Sequence, residues 1–326
     1  MKRRDFLSLL GGAAATLPHR AIAQTAAAQW PERVVRIIVP YVPGGGTDAV
    51  ARILAAGLSK SVGYRIVVEN KGGGSTNIGT QDVAHAAPDG YTVLFCSLPF
   101  ATNRFLFATL GYDSFTDFAP VTLVAAYPDL MVVPSSSPAK SVAEFIAYAK
   151  NNGGKTTFAS SGTGSSNHLA GELFKRRAGI EMTHIPYRGV GPAVTDLIAG
   201  RVDVIFDSFG SALPLVRAGQ LRGLAVTSAK RFPAAPDLPT VAEAALPGFD
   251  VTAWYALYMP AQTPAEIVRK LHADVVAVLA EPEIREKIEL LGVTVIGSTP
   301  EELARHLKAE TELWGPVIKA ANIKGE

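Results

Sequence analysis

Three short stretches of this 326-residue chain combine glycine with hydroxyl side chains in a pattern suited to holding an anion. They are Pro43-Gly44-Gly45-Gly46-Thr47-Asp48, Lys71-Gly72-Gly73-Gly74-Ser75-Thr76-Asn77 and Ser160-Ser161-Gly162-Thr163-Gly164-Ser165-Ser166-Asn167-His168. Where no Cβ stands in the way, backbone amides come close to a ligand. A helix starting at such a turn adds unpaired N–H donors and about half a positive charge. Ser and Thr hydroxyls both donate and accept. Together these groups hold a carboxylate without arginine. One such turn alone more often just reverses the chain. Three at equivalent places predict a ligand site. Gly44, Gly45, Gly46, Thr47 and Asn77 form one side of it, and Ser161, Gly162, Thr163, Gly164 and Ser165 the other.

Several polar neighbours qualify for the same site. Ser97 closes a strand, and Asp207 ends another. Asp48 either caps the helix it precedes or meets a donor on the ligand; beside a carboxylate ligand its own charge would repel. Tyr187 either lines the cleft or closes its strand, and Arg188 points a charge inward or is a solvated turn residue. His168 caps or lines the third turn. Trp254 fits a ligand-stacking ring or a buried hinge, and the hinge is the better fit.

Other chemistries fail on detail. None of the turns has the Walker spacing of Gly, Lys and Ser or Thr. Gly72-x-Gly74 and Gly162-x-Gly164 each meet Asn where a dinucleotide turn needs a third Gly. Ser165, His168 and Asp207 suggest a serine hydrolase, but Phe206-Asp207-Ser208-Phe209-Gly210 lacks the first Gly of a nucleophile elbow. The six histidines are scattered and Cys96 is the one thiol, so no metal set is expected. Neither a cofactor nor a catalytic group is expected.

The elements that carry these turns alternate. Val34 to Val39, Tyr64 to Glu69 and Tyr91 to Ser97 read as buried strands, with helices between them from Val50 to Leu58 and Ile78 to Ala87. The same order restarts at Ser141, with strands at Thr156 to Ser160, Met182 to Tyr187, Val202 to Asp207 and Leu221 to Thr227. Two extended apolar stretches, Val121 to Val133 and Val251 to Met259, join the blocks. Thr263-Pro264-Ala265-Glu266 and Thr299-Pro300-Glu301-Glu302 open two terminal helices. The expected architecture is α/β with two lobes. Lobe 1 spans 30–125 plus 253–326 and lobe 2 spans 126–252. The two crossovers form a hinge, with a cleft at the carboxyl ends of the strands.

Composition agrees. Charged residues are 18% of the chain, below the roughly 25% of an average soluble domain. Residues 1–23 read as a signal peptide: Lys2-Arg3-Arg4, an apolar stretch from Phe6 to Leu17, and Ala21-Ile22-Ala23 before the cut. Arg3-Arg4-Asp5-Phe6-Leu7 favours the twin-arginine route. Without that segment the body has 27 basic and 28 acidic side chains. A near-neutral body has no general field for nucleic acid, so any anion must be held locally. Cys96, alone in an oxidising compartment and within an apolar run, is expected to be core.

These blocks resemble the substrate-binding proteins of tripartite tricarboxylate transporters, often called Bug proteins. The likeness runs through Val39-Pro40-Tyr41-Val42-Pro43-Gly44-Gly45-Gly46-Thr47-Asp48, Val68-Glu69-Asn70-Lys71-Gly72, Asn77-Ile78-Gly79 and Ala87-Pro88-Asp89-Gly90-Tyr91-Thr92. It continues in Gly162-Thr163-Gly164-Ser165, His168-Leu169-Ala170, Ile185-Pro186-Tyr187-Arg188-Gly189 and Phe206-Asp207. The resemblance implies a two-lobed receptor of the type II periplasmic-binding-protein class that closes over a small carboxylate and hands it to a membrane permease; a monomer is expected. It also implies that the first turn and the Ser165 turn embrace the ligand. Gly73 and Arg188 depart from the family's usual Pro and Lys. A secreted hydrolase, or a sensor reporting to a membrane partner, are the alternatives.

Overall fold

The computed structural model describes residues 30–325, so the export segment at 1–23 lies outside the described residues. The chain runs β1 (Val35–Val39), α1 (Gly46–Gly57), β2 (Ile66–Asn70), α2 (Asn77–Ala84), β3 (Thr92–Cys96), α3 (Pro99–Leu106) and β4 (Phe118–Pro134). Then come α4 (Val142–Asn151), β5 (Thr157–Ser160), α5 (Ser166–Ala178), β6 (Thr183–Pro186), α6 (Val190–Ile198), β7 (Val204–Ser208), α7 (Phe209–Arg217) and β8 (Leu221–Val226). The last elements are α8 (Val241–Ala244), β9 (Thr252–Pro260), α9 (Ala265–Ala280), α10 (Pro282–Glu289), β10 (Thr294–Val295) and α11 (Pro300–Ala320).

One strand organises the rest. The first half of β4 pairs with β9 from Phe118 to Pro128, and its second half pairs with β7 from Asp129 to Val132. Strands β2, β1 and β3 extend the first side in parallel, and β5 and β6 extend the second. The expected parallel order therefore holds within each block, but β4 and β9 run antiparallel to their neighbours, so the sheet is mixed. The returning chain changes sides sharply: Val251 N–H donates to Thr227 O on the second side, while Thr252 pairs with Pro128 on the first. The architecture is the two-lobed α/β fold anticipated from the alternating blocks.

Each side of the sheet has helices on both faces. Val50, Leu54, Leu271 and Val275 pack one face of the first side, and Phe100, Leu303 and Leu307 the other. On the second side Phe145, Leu169 and Phe174 cover one face, and Ala193, Leu197 and Phe209 the other. Cys96 and Trp254 are buried core, and Phe100 is core while Phe105 is exposed. Helices α3 and α7 were not read from the sequence. Pro99 opens the first and Pro214 interrupts the second, and both helices are short.

Helix α11 ties the two cores together. Its Leu303 and Leu307 join the first side, whereas Trp314, Val317 and Ile318 join the second. Between them Glu310 Oε2 accepts from Trp254 Nε1 at 3.0 Å and from Trp314 Nε1 at 3.1 Å. Both indoles are fully buried. Removing their acceptor leaves two buried donors unsatisfied, each costing about 1–3 kcal/mol. Glu310→Ala is therefore expected to destabilise the protein by about 3 kcal/mol in urea unfolding. Glu310→Gln, which keeps one acceptor oxygen, should lose clearly less; equal losses would show that the indole bonds do not matter.

Candidate functional site

Two of the three glycine turns, each from a different side of the sheet, line one cavity of about 500 Å³. The turn after β2 contributes Gly72, Gly73, Ser75 and Thr76, and the turn after β5 contributes Ser161, Gly162, Thr163, Gly164 and Ser165. Pro40, Tyr41 and Val42 follow β1 along the wall; Pro99, Asn103 and Leu106 come from α3, and Gly189 from the turn after β6.

The third turn is built by its own hydrogen bonds. Ser165 is the N-cap of α5, and its hydroxyl accepts from His168 N–H at 3.3 Å. Gly164 donates its N–H to His168 Nδ1 at 3.0 Å. That bond needs φ at +78°, and a Cβ there would lie 2.6 Å from Leu106 Cδ1, so only glycine fits. Ser161 Oγ donates to Asn167 Oδ1 at 2.8 Å, and Asn167 donates through Nδ2 to Phe206 O at 2.5 Å. The loop is thereby fastened to β7. Helix α5 starts directly after the lining residues, so its amide-rich, positive end adjoins the cavity.

The second turn is held under strain. Ser75 and Thr76 adopt φ of 51° and 78°, a left-handed conformation that side-chain-bearing residues rarely take. Buried Asn103 holds it by donating to Ser75 O and to Asn77 Oδ1, both at 2.7 Å. Asn77 thus serves the turn, with Tyr112 also donating to its Oδ1 at 3.0 Å.

The first turn sits apart from the lining of this cavity. Gly46 lies beneath Tyr255, whose hydroxyl would be 2.7 Å from a Cβ placed there. Asp48 is buried and accepts from Gly44 N–H at 2.9 Å, Arg52 Nε at 3.0 Å and Asn70 Nδ2 at 3.0 Å. Burial alone would raise its pKa, but the bonds from Arg52, Gly44 and Asn70 together lower it. Asp48 therefore closes its own loop. The N-cap position belongs to Gly45, three residues earlier.

Ser97 pairs its hydroxyl with Tyr41 at 2.7 Å and so backs the cavity wall. Tyr187 donates to Asp196 Oδ2 at 2.7 Å, turned to the following helix α6. Arg188 is exposed and makes no ion pair among the described residues. The imagined Ser165–His168–Asp207 relay does not form. Ser165 accepts from a backbone N–H, His168 uses Nδ1 for Gly164, and Asp207 takes Ser208 N–H and Ser211 O–H, each at 2.8 Å. Burial pushes the Asp207 carboxyl up to about 6 against those bonds.

What a ligand meets in this cavity is an uncharged set of amides, hydroxyls and a carboxamide. The residues matched by the model for the tripartite tricarboxylate transporter family receptor are 50–323. The chain belongs to that receptor family. An R. palustris protein, Rpa4515, solved with adipate, is 40% identical with a TM-score of 0.82, covering 90% of this chain and 99% of its own. The periplasmic binding protein BugD is 36% identical with a TM-score of 0.79, covering 91% and 100%. MatC from Rhodopseudomonas palustris, with bound malate, is 35% identical with a TM-score of 0.77, covering 89% and 100%.

In this receptor the sequence pointed to the glycine turns but passed over Tyr41 and Asn103. Tyr41 stands just past a parallel strand, where ligand-facing residues collect, so its position was a usable signal. Asn103 had none, because it acts from a helix across the wall.

Beside the receptor's third turn, His168 of α5 and His184 of β6 form an imidazole stack. His168 and His184 lie face to face with ring centroids 3.6 Å apart and planes 8° apart. Burial, then the neighbouring His184, lowers His168 to about 3, and burial lowers His184 to about 4. The unfolded chain takes these protons near pH 6.5, before the folded one does. Acidification from about pH 6.5 toward pH 4 should therefore reduce stability, seen as a falling urea midpoint. His184→Gln should flatten that fall; an unchanged slope would mean that the stack is not held neutral. Ser165→Ala, which removes the cap, should cost the empty protein about 1 kcal/mol.

Proposed function

We propose that this protein is an extracytoplasmic solute receptor that closes over a small organic carboxylate and delivers it to a tripartite tricarboxylate-type permease. The observation that carries the reading is that two donor-rich glycine turns, one from each side of the hinge strand, line a common cavity. A carboxylate oxygen suits such turns because amides and hydroxyls neutralise it without a competing cation. The adipate and malate of two relatives support the same ligand class, and the periplasmic description of BugD supports export to that compartment.

In this reading residues 1–23 are the twin-arginine export signal and the mature protein acts as a monomer. The lobes divide at 30–125 plus 253–326 and at 126–252, with the end of α11 reaching across to the second core. Ligand binding falls to Ser161 to Ser165 and to Gly72, Gly73, Ser75 and Thr76, which line the cavity; Gly44, Gly45, Gly46 and Thr47, apart from it here, would join them on closure, and Asn77 braces its own turn. Ser97, His168 and Asp48 brace them, while Tyr187 and Asp207, bonded to Asp196 and Ser211, and the exposed Arg188 would meet the ligand only on closure. Closure supplies the difference in affinity that the permease would sense.

A thermal-shift screen against mono-, di- and tricarboxylates tests this. A true ligand at about 100 times its Kd should add roughly 2.7 kcal/mol of stability. Ester turnover with no shift by any acid would sink the receptor reading in favour of a hydrolase.

A further inference from the structure

The second glycine turn is an unusual piece of backbone. Gly73, Gly74, Ser75 and Thr76 follow one another with φ of 120°, 55°, 51° and 78°. Two of the four carry side chains, and such residues visit the left-handed region singly rather than in runs. The amides of the turn do little to hold this shape. Among the described residues, the N–H groups of Gly72 to Thr76 donate to no protein acceptor. Only the next two donate back into the turn, Asn77 to Gly74 O at 3.0 Å and Ile78 to Gly73 O at 3.5 Å.

The third turn differs. Gly162 N–H donates to Ser160 Oγ at 3.1 Å, Gly164 N–H to His168 Nδ1 at 3.0 Å and Ser165 N–H to Gly162 O at 3.2 Å. Those three amides are committed to their own loop, whereas the amides of the second turn are open to an anion. Both turns line the same cavity. Successive backbone N–H groups in a turn form a concavity that suits an anion.

What fixes the second turn comes from outside it. Asn103 Nδ2 donates to Ser75 O and to Asn77 Oδ1, both at 2.7 Å, and lies 3.4 Å from Thr76 Oγ1. One carboxamide thus touches three consecutive residues. The helix that carries it is pinned on both sides of the sheet. Phe100 and Ala101 of α3 belong to a core of the first side, while Leu98, its N-cap, and Leu106 belong to a core of the second. Leu106 lies one residue short of four beyond Asn103, about one helical turn on, and packs so closely on Gly164 that a Cβ there would meet it at 2.6 Å. Helix α3 therefore sets the spacing between the open amides and the third turn.

We infer that Asn103 is a positioning residue for the ligand: it holds the left-handed turn so that the amides of Gly72 to Thr76 grip one ligand carboxylate. This rests on the carboxylate-receptor reading and assigns, within that site, the turn that supplies backbone donors and the residue that aims them. Without Asn103, Ser75 and Thr76 would relax to negative φ and their amides would turn away.

Calorimetric titration of the purified protein with succinate, malate, glutarate and adipate tests it, using whichever acid binds most tightly. Asn103→Leu keeps the bulk of this buried side chain and removes an Oδ1 that has no partner among the described residues, so the fold is expected to survive. Its affinity should fall about tenfold or more. Glycine adopts positive φ without strain. In a Ser75→Gly/Thr76→Gly background the same substitution should therefore cost less than about threefold. Unchanged affinity in Asn103→Leu, or equal losses in the two backgrounds, would overturn this inference and leave the receptor reading in place. Binding of none of the four acids would overturn both. If the variant does not fold, hydrogen exchange of the native protein decides. Adding the acid should slow the amides of Gly72 to Thr76 more than those of Gly162, Gly164 and Ser165, and the reverse order would overturn the inference.

Discussion

The structure depends on one shared strand. β4 is 17 residues long, mostly buried, and belongs to both sides of the sheet. Its backbone hydrogen bonds are satisfied by β9 and β10 at one end and by β7 and β8 at the other. Buried backbone polar groups must be paired, so neither side can complete its sheet without this strand. The same continuity puts strand ends of both sides next to one another, which is where the glycine turns are. A cleft between them follows from the topology, before any side chain is considered.

Ligand chemistry at that cleft is set by satisfaction rather than by charge. Three polar side chains of the third turn are occupied: Ser165 by a backbone amide, His168 by Gly164, Ser161 by Asn167. Asp48 and Asp207 are occupied as well. Groups already bonded in this way keep the loop rigid and leave the cavity wall uncharged. A rigid wall of donors loses little entropy when an oxygen anion binds, which is the benefit of preorganisation.

The strained Ser75–Thr76 segment fits the same logic. Left-handed backbone at two successive non-glycine residues persists only when the surroundings impose it, and Asn103 is the residue that does so. The strand–helix alternation gave no sign of this. Position 103 lies in a short helix of eight residues that starts with Pro99.

The sequence by itself determined the alternating α/β order, the strands β1 to β9 within a few residues, the buried state of Cys96 and Trp254, and the glycine turns. These follow from local periodicity, β-branched runs and turn composition, which act over a few residues. It also contained the blocks that mark the receptor family. Only the tertiary structure decided which turns share a hollow, that Asp48 closes its own loop, and that the Ser165, His168 and Asp207 groups face other partners. It alone showed α11 entering both cores. Those outcomes depend on residues far apart in the chain meeting at distances of a few ångströms, and spacing along the sequence does not encode that meeting.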